Sequence, residues 1–182
     1  MVDGEQLPYE LAYSQWLTSW VTSLTADGAP PLSPLLLIVA RGQHLQRWTS
    51  PRNSYADGKA AYLRWREDLK RMASGVVTRI MCEEGFSEGE VARVDQLIMK
   101  KALTSPEGQV VEDALVLVFL ERQFADFRLK ETDDKMVDIL RKSWKKMGPK
   151  GQAAALTLPL SGIEAELVGR ALAPAPTSPN QG

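Results

Sequence analysis

The chain has 182 residues, 44% of them apolar, and carries 22 Lys/Arg against 23 Asp/Glu, a formal charge of -1. This length suits one domain that buries roughly two-thirds of its unfolded surface and folds without disulfide or metal staples. The charge balance excludes the chain-wide basic field used for non-specific nucleic-acid binding, while one histidine and one cysteine exclude a His-rich metal centre, a Cys-based structural zinc site and an intrachain disulfide.

Taken in chain order, Leu11, Trp16, Leu17, Trp20, Val21 and Leu24 recur at spacings of three and four and predict a helix from Tyr9 to Leu24. Pro8 suits its first turn, where a missing N–H costs nothing. Ser33-Pro34 reads as N-cap and first position of a second helix, running from about Leu35 to Trp48. The apolar run Leu35 to Ala40 predicts a central place for it and is far short of the ~20 residues that span a bilayer. A polar loop, Pro51 to Gly58, precedes the longest helical stretch, Lys59 to Glu84, with Gly85 placed to cap it. Its stripe is Tyr62, Trp65, Leu69, Met72, Val76 and Ile80.

Ser87 followed by Glu90 is a capping-box pattern opening a helix through Val91, Val94, Leu97 and Ile98. Ser105 to Gly108 reads as a loop before a core helix, Val110 to Phe127. Asp133 or Asp134 caps an amphipathic helix through Met136, Ile139, Leu140 and Trp144, and Gly148-Pro149 reads as its stop. A short helix is expected over Gly162 to Leu172, beginning close to Ser161. No alternation of period two is followed by a turn and a second strand. The expected fold is all-α, a single bundle of five to seven helices over residues 1–172, with a disordered Pro-rich tail at 173–182. The acidic opening Met1-Val2-Asp3-Gly4-Glu5 has neither the basic start nor the apolar core of a secretory signal, so a cytoplasmic location is expected, with the nucleus as the other choice.

There is no Gly-rich loop followed by Lys-Ser/Thr, no Rossmann fingerprint, no Gly-x-Ser-x-Gly and no His-Glu-x-x-His. Four constellations remain. His44 and Arg47 lie one turn apart, with Gln43, Trp48 and Arg52 beside them; neighbouring guanidiniums favour a neutral imidazole that faces a ligand, and the alternative is a core-edge histidine with one backbone bond. Tyr62, Arg66 and Lys70 fall at steps of four, a cationic line for a phosphate or carboxylate, or else a salt-bridged face that includes Glu67 and Arg71.

Glu112 and Asp113 stand in a strongly apolar helix, where a buried carboxylate needs a cation such as Arg47 or Arg66; the other reading is a metal or phosphate site. Arg141, Lys142, Lys145 and Lys146 form an acid-free basic segment, readable as a surface for RNA or protein or as cations complementing a helix C-terminus, with Trp144 packed inward.

Gln43-His44-x-x-Arg47-Trp48-x-x-Pro51-Arg52-x-x-Tyr55 and Tyr62-Leu-x-Trp65-Arg66-x-x-Leu69-Lys70 resemble a family found in bacteria and fungi, the domain of unknown function numbered 4202. Gln109-x-x-Glu112-Asp113, Leu117-Val118-Phe119-Leu120-Glu121 and Ile139-Leu140-Arg141-Lys142-x-Trp144-x-Lys146-Met147 continue the resemblance, which spans about Pro8 to Leu158. The helical order is also similar, more weakly, to HD-type phosphohydrolase domains. That second likeness implies a histidine role for His44 and the last aspartate for Asp113, with Leu45 in place of the paired aspartate and Tyr13 near the first histidine; the likeness to the uncharacterised family implies a histidine where this chain has Ala73.

The resulting expectation is a domain that binds a phosphorylated small molecule or nucleotide without efficient catalysis, through His44, Arg47, Trp48, Arg52, Arg66, Lys70 and Asp113. No cofactor is assigned. One alternative is a divergent metal-dependent phosphohydrolase using His44, Glu112 and Asp113; the other is a scaffold docking through Arg141, Lys142, Lys145 and Lys146.

Overall fold

The computed structural model describes residues 7–173. The helices α1 (Tyr9–Leu24), α2 (Pro34–Gly42), α3 (Lys59–Glu83), α4 (Glu88–Ile98) and α5 (Pro106–Val118) come first, with 3-10 turns at Arg47–Thr49 and Arg52–Ser54. A π-helical segment, Phe119–Gln123, then runs straight into α6 (Phe124–Arg128), followed by α7 (Asp133–Trp144), α8 (Pro149–Ala155) and α9 (Gly162–Leu172). The described residues contain no strand, so the fold is all-α. Residues 106–128 form one continuous rod, which makes eight distinct helices where five to seven were expected. The disordered tail expected at 173–182 lies outside the described residues except for Ala173.

The unexpected helix is α8. Helix α7 ends at Trp144, before Gly148-Pro149 is reached, and Pro149 occupies the first turn of α8, because proline lacks the N–H that such a position leaves unpaired. Two boundaries also move. Ser105 accepts from the N–H of Gly108 and Pro106 follows it, so α5 begins where a loop was expected. Helix α2 stops at Gly42 instead of Trp48; Gln43 to Gln46 form turns, and Gln46 sits in the left-handed region at φ 53°. A Cβ at position 42 would come within 2.6 Å of Val77 Cγ2, so α2 ends in close approach to α3.

Helix α2 touches α1, α3, α4 and α5, as its apolar run predicts, and Leu36 and Val39 are wholly buried. Helix α5 packs on α1 and α8, α3 on α4, and α7 on α9. Leu17, Leu36, Ile98, Leu117 and Phe124 have no exposed surface, each contributing roughly 1.5–3 kcal/mol of burial. Capping boxes at Ser87/Glu90 and Ser161/Glu164 set the starts of α4 and α9. Gly85, at φ 79°, turns the chain after α3, in a conformation that a side chain would strain. No helix among the described residues is long and apolar enough to cross a membrane.

Candidate functional site

The helices enclose a cleft of about 560 Å³ between α3, the α4–α5 connection, α5 and the α7–α8 turn. Arg66, Lys70, Lys100 and Lys146 supply its cations, and Glu67 and Glu112 its acids. Gln109 adds an amide, while Leu63 and Leu103 are apolar parts of the wall. Two of the acids and two of the cations neutralise each other: Lys70 Nζ stands 2.6 Å from Glu67 Oε2, and Lys100 Nζ 2.6 Å from Glu112 Oε2. Neither Arg66 nor Lys146 forms an ion pair among the described residues. Arg66 instead lies over the Tyr62 ring, 5.9 Å from its centroid.

Lys100 holds the most constrained charge of the cleft. It follows α4 with φ 58°, and both it and Glu112 are largely buried. Burial lowers its pKa; Glu112 opposes that shift, and Arg66 and Lys146 add to it. The cations of three separate segments are therefore within electrostatic reach of one another.

His44 occupies a different setting. Its ring stacks on Tyr13 with centroids 3.7 Å apart and planes 12° from parallel. Arg47 donates to Nε2 at 3.1 Å, so the proton of the neutral imidazole is assigned to Nδ1. Burial, together with Arg47, Lys100 and Arg66, pushes the His44 pKa down to about 3. Nδ1 of His44 and Nε2 of Gln43 are buried without a partner. The Arg47 guanidinium lies 4.8 Å over the Trp65 ring, and burial lowers its pKa. Trp48 is exposed, and Arg52 donates to the carbonyls of Tyr55 and Ala56, tying its own loop.

The sequence-predicted residues thus divide. Arg66 and Lys70 line the cleft, joined by Lys146 from the segment read as an interaction surface and by Glu112. His44, Arg47, Trp48, Arg52 and Asp113 are not among its lining residues. The partner expected for Glu112, Arg47 or Arg66, is replaced by Lys100. Asp113 needs no cation: its Oδ1 accepts from Gly148 N–H and Gln109 Nε2, both at 2.8 Å. Burial nonetheless raises its pKa.

The cations of the basic segment have different surroundings. Arg141 donates to the carbonyl of Arg170, Lys142 pairs with Asp138 at 2.7 Å, Lys145 is exposed and Lys146 opens on the cleft. Trp144 packs against the core.

Lys100, Gln109, Leu63 and Leu103 escape the sequence reading as site residues. Lys100 carries a faint signal, a cation just past a helix C-terminus, but that pattern ordinarily complements the helix dipole.

A metal of the HD type does not fit the residues present. His44 Nε2 faces Arg47, Glu112 is paired with Lys100, and Asp113 Oδ1 accepts from Gly148 of the α7–α8 turn and from Gln109. Among the described residues no group of three or more His, Cys, Asp or Glu side chains is arranged to hold a metal ion.

Neither the curated proteins nor the solved structures contain a match to this chain. A family model does match, over residues 1–168, and the chain belongs to that family, Domain of unknown function (DUF4202).

Proposed function

We propose that this helical domain binds a phosphorylated small molecule or nucleotide in the cleft between α3 and α5, without efficient catalysis. The observation carrying this reading is that Arg66 and Lys146, distant in sequence, open on one cleft without a carboxylate partner among the described residues. Lys70 and Lys100 add N–H donors to the same walls. Arginine offers a planar pair of donors to phosphate oxygens and lysine a compact charge, so the two serve one anion from different sides. A volume of about 560 Å³ lies within the usual range for small-molecule sites. Metal-dependent hydrolysis is left out of the reading because His44, Glu112 and Asp113 are each held by separate partners.

Titration calorimetry against a panel of nucleotides and sugar phosphates tests it. At least one compound should bind tighter than ~1 mM, more weakly to Lys146→Gln than to the wild type. A folded protein that binds no member of the panel at that level would overturn the reading.

A further inference from the structure

The charge on the cleft wall narrows the ligand class, on the assumption that the cleft is the anion site proposed above. Four cations face two carboxylates there. The pairs Lys70–Glu67 and Lys100–Glu112 each sum to zero and close at 2.6 Å. What remains is the charge of Arg66 and Lys146, two positive units. A phosphodiester brings only one negative charge to this wall, and a nucleoside triphosphate brings about twice the charge that it can neutralise. A phosphomonoester carries about -1.5 to -2 at pH 7 and matches it.

The wall also has an apolar part. Leu63, on α3, and Leu103, in the α4–α5 connection, are 54% and 45% exposed and both line the cleft. Neither leucine is spent on the core, and both share the cleft wall with the unpaired cations. Inorganic phosphate alone would leave most of the 560 Å³ to water and both leucines uncovered. We infer that the cleft takes a phosphomonoester dianion whose organic group is apolar enough to cover Leu63 and Leu103, with the phosphoryl oxygens between Arg66 and Lys146.

Three probes separate the components of this inference: phenyl phosphate, inorganic phosphate and the monoanionic diester methyl phenyl phosphate. Calorimetry on the full chain at pH 7.5 should rank phenyl phosphate first, by about tenfold over each of the others. Arg66→Gln and Lys146→Gln should each weaken phenyl phosphate about tenfold, with melting temperature recorded to show that both variants remain folded. Leu63→Ser and Leu103→Ser should weaken phenyl phosphate and leave inorganic phosphate unchanged. A diester that binds as tightly as the monoester overturns the dianion assignment. Leucine variants that affect both probes alike, or neither, overturn the apolar contact. If all three probes fail while the wider panel contains a binder, this inference fails alone; if the panel fails too, the binding reading falls with it.

Discussion

The carboxylate of Asp113 accepts the backbone N–H of Gly148 at 2.8 Å, tying the middle of α5 to the turn that opens α8. Gln109 reinforces the tie, donating from Nε2 to Asp113 Oδ1 and to the carbonyl of Lys146, each at 2.8 Å. The same two side chains therefore hold the turn that carries Lys146 to the cleft. Gly151 completes the fit, since a Cβ there would lie 2.5 Å from Asp113 Cγ.

Asp113→Ala should leave the Gly148 N–H without its acceptor and cost ~1–3 kcal/mol. Gly151→Ala should cost a similar amount, through collision with the carboxylate instead of loss of a bond. Thermal denaturation reads both as a lowered melting temperature. Wild-type melting in either variant would show that the clamp does not hold the turn.

Lys100 and Glu112 make a second prediction, because two largely buried charges are costly apart and nearly neutral when removed together. Glu112→Gln leaves the Lys100 ammonium uncompensated and should destabilise the fold by ~1–3 kcal/mol. The double variant Lys100→Met/Glu112→Leu should return to within ~1 kcal/mol of the wild type. Urea unfolding of Lys100→Met, Glu112→Leu and the double variant gives the coupling directly. Additive losses would mean that the pair is too well solvated to behave as buried.

The His44 imidazole makes stability depend on pH. Its pKa falls from 6.5 to about 3 in the folded chain, so the unfolded chain takes up a proton in that interval that the folded chain refuses. Stability contributed by neutral His44 is fully present above the unfolded value and is lost as pH falls towards the folded one, with a slope of up to ~1.4 kcal/mol per pH unit. His44→Gln should flatten the dependence between pH 6.5 and 5, where most carboxylates stay ionised. Urea midpoints across that range provide the measurement, and parallel slopes for the two proteins would count against a desolvated His44.

Much of the helical architecture is legible in the residues one element at a time. The stripes of α1, α4 and α7 announce most of their buried faces, whereas that of α3 holds at Trp65 and Leu69 and then shifts, with Ala73, Val77 and Met81 buried and Tyr62 and Ile80 exposed; Ser33, Ser87 and Ser161 announce starts that the structure keeps. Local rules fail where a helix breaker is also a helix starter. Pro149 stands beyond the end of α7 and opens α8, and sequence pattern shows only the break. At the end of α2 a helical continuation through Arg47 satisfies local spacing, but the chain turns at Gln46 after the close approach of Gly42 to Val77. That turn sets His44 on Tyr13 and Arg47 on Trp65, and neither contact is implied by a helical face.

The candidate site divides in the same way. Arg66 and Lys70 stand out in the sequence because they share one helix, where a spacing of four residues is a spatial relation. Their meeting with Lys100, Gln109 and Lys146 depends on how α3, α5 and the α7–α8 turn pack, a relation between distant segments that periodicity does not encode. The sequence by itself determined an all-helical chain, most of its helix starts and the scarcity of histidine and cysteine. Only the tertiary structure decided which charges neutralise each other and which pair of cations is left facing a cleft, because a salt bridge forms by distance in space and not by order along the chain.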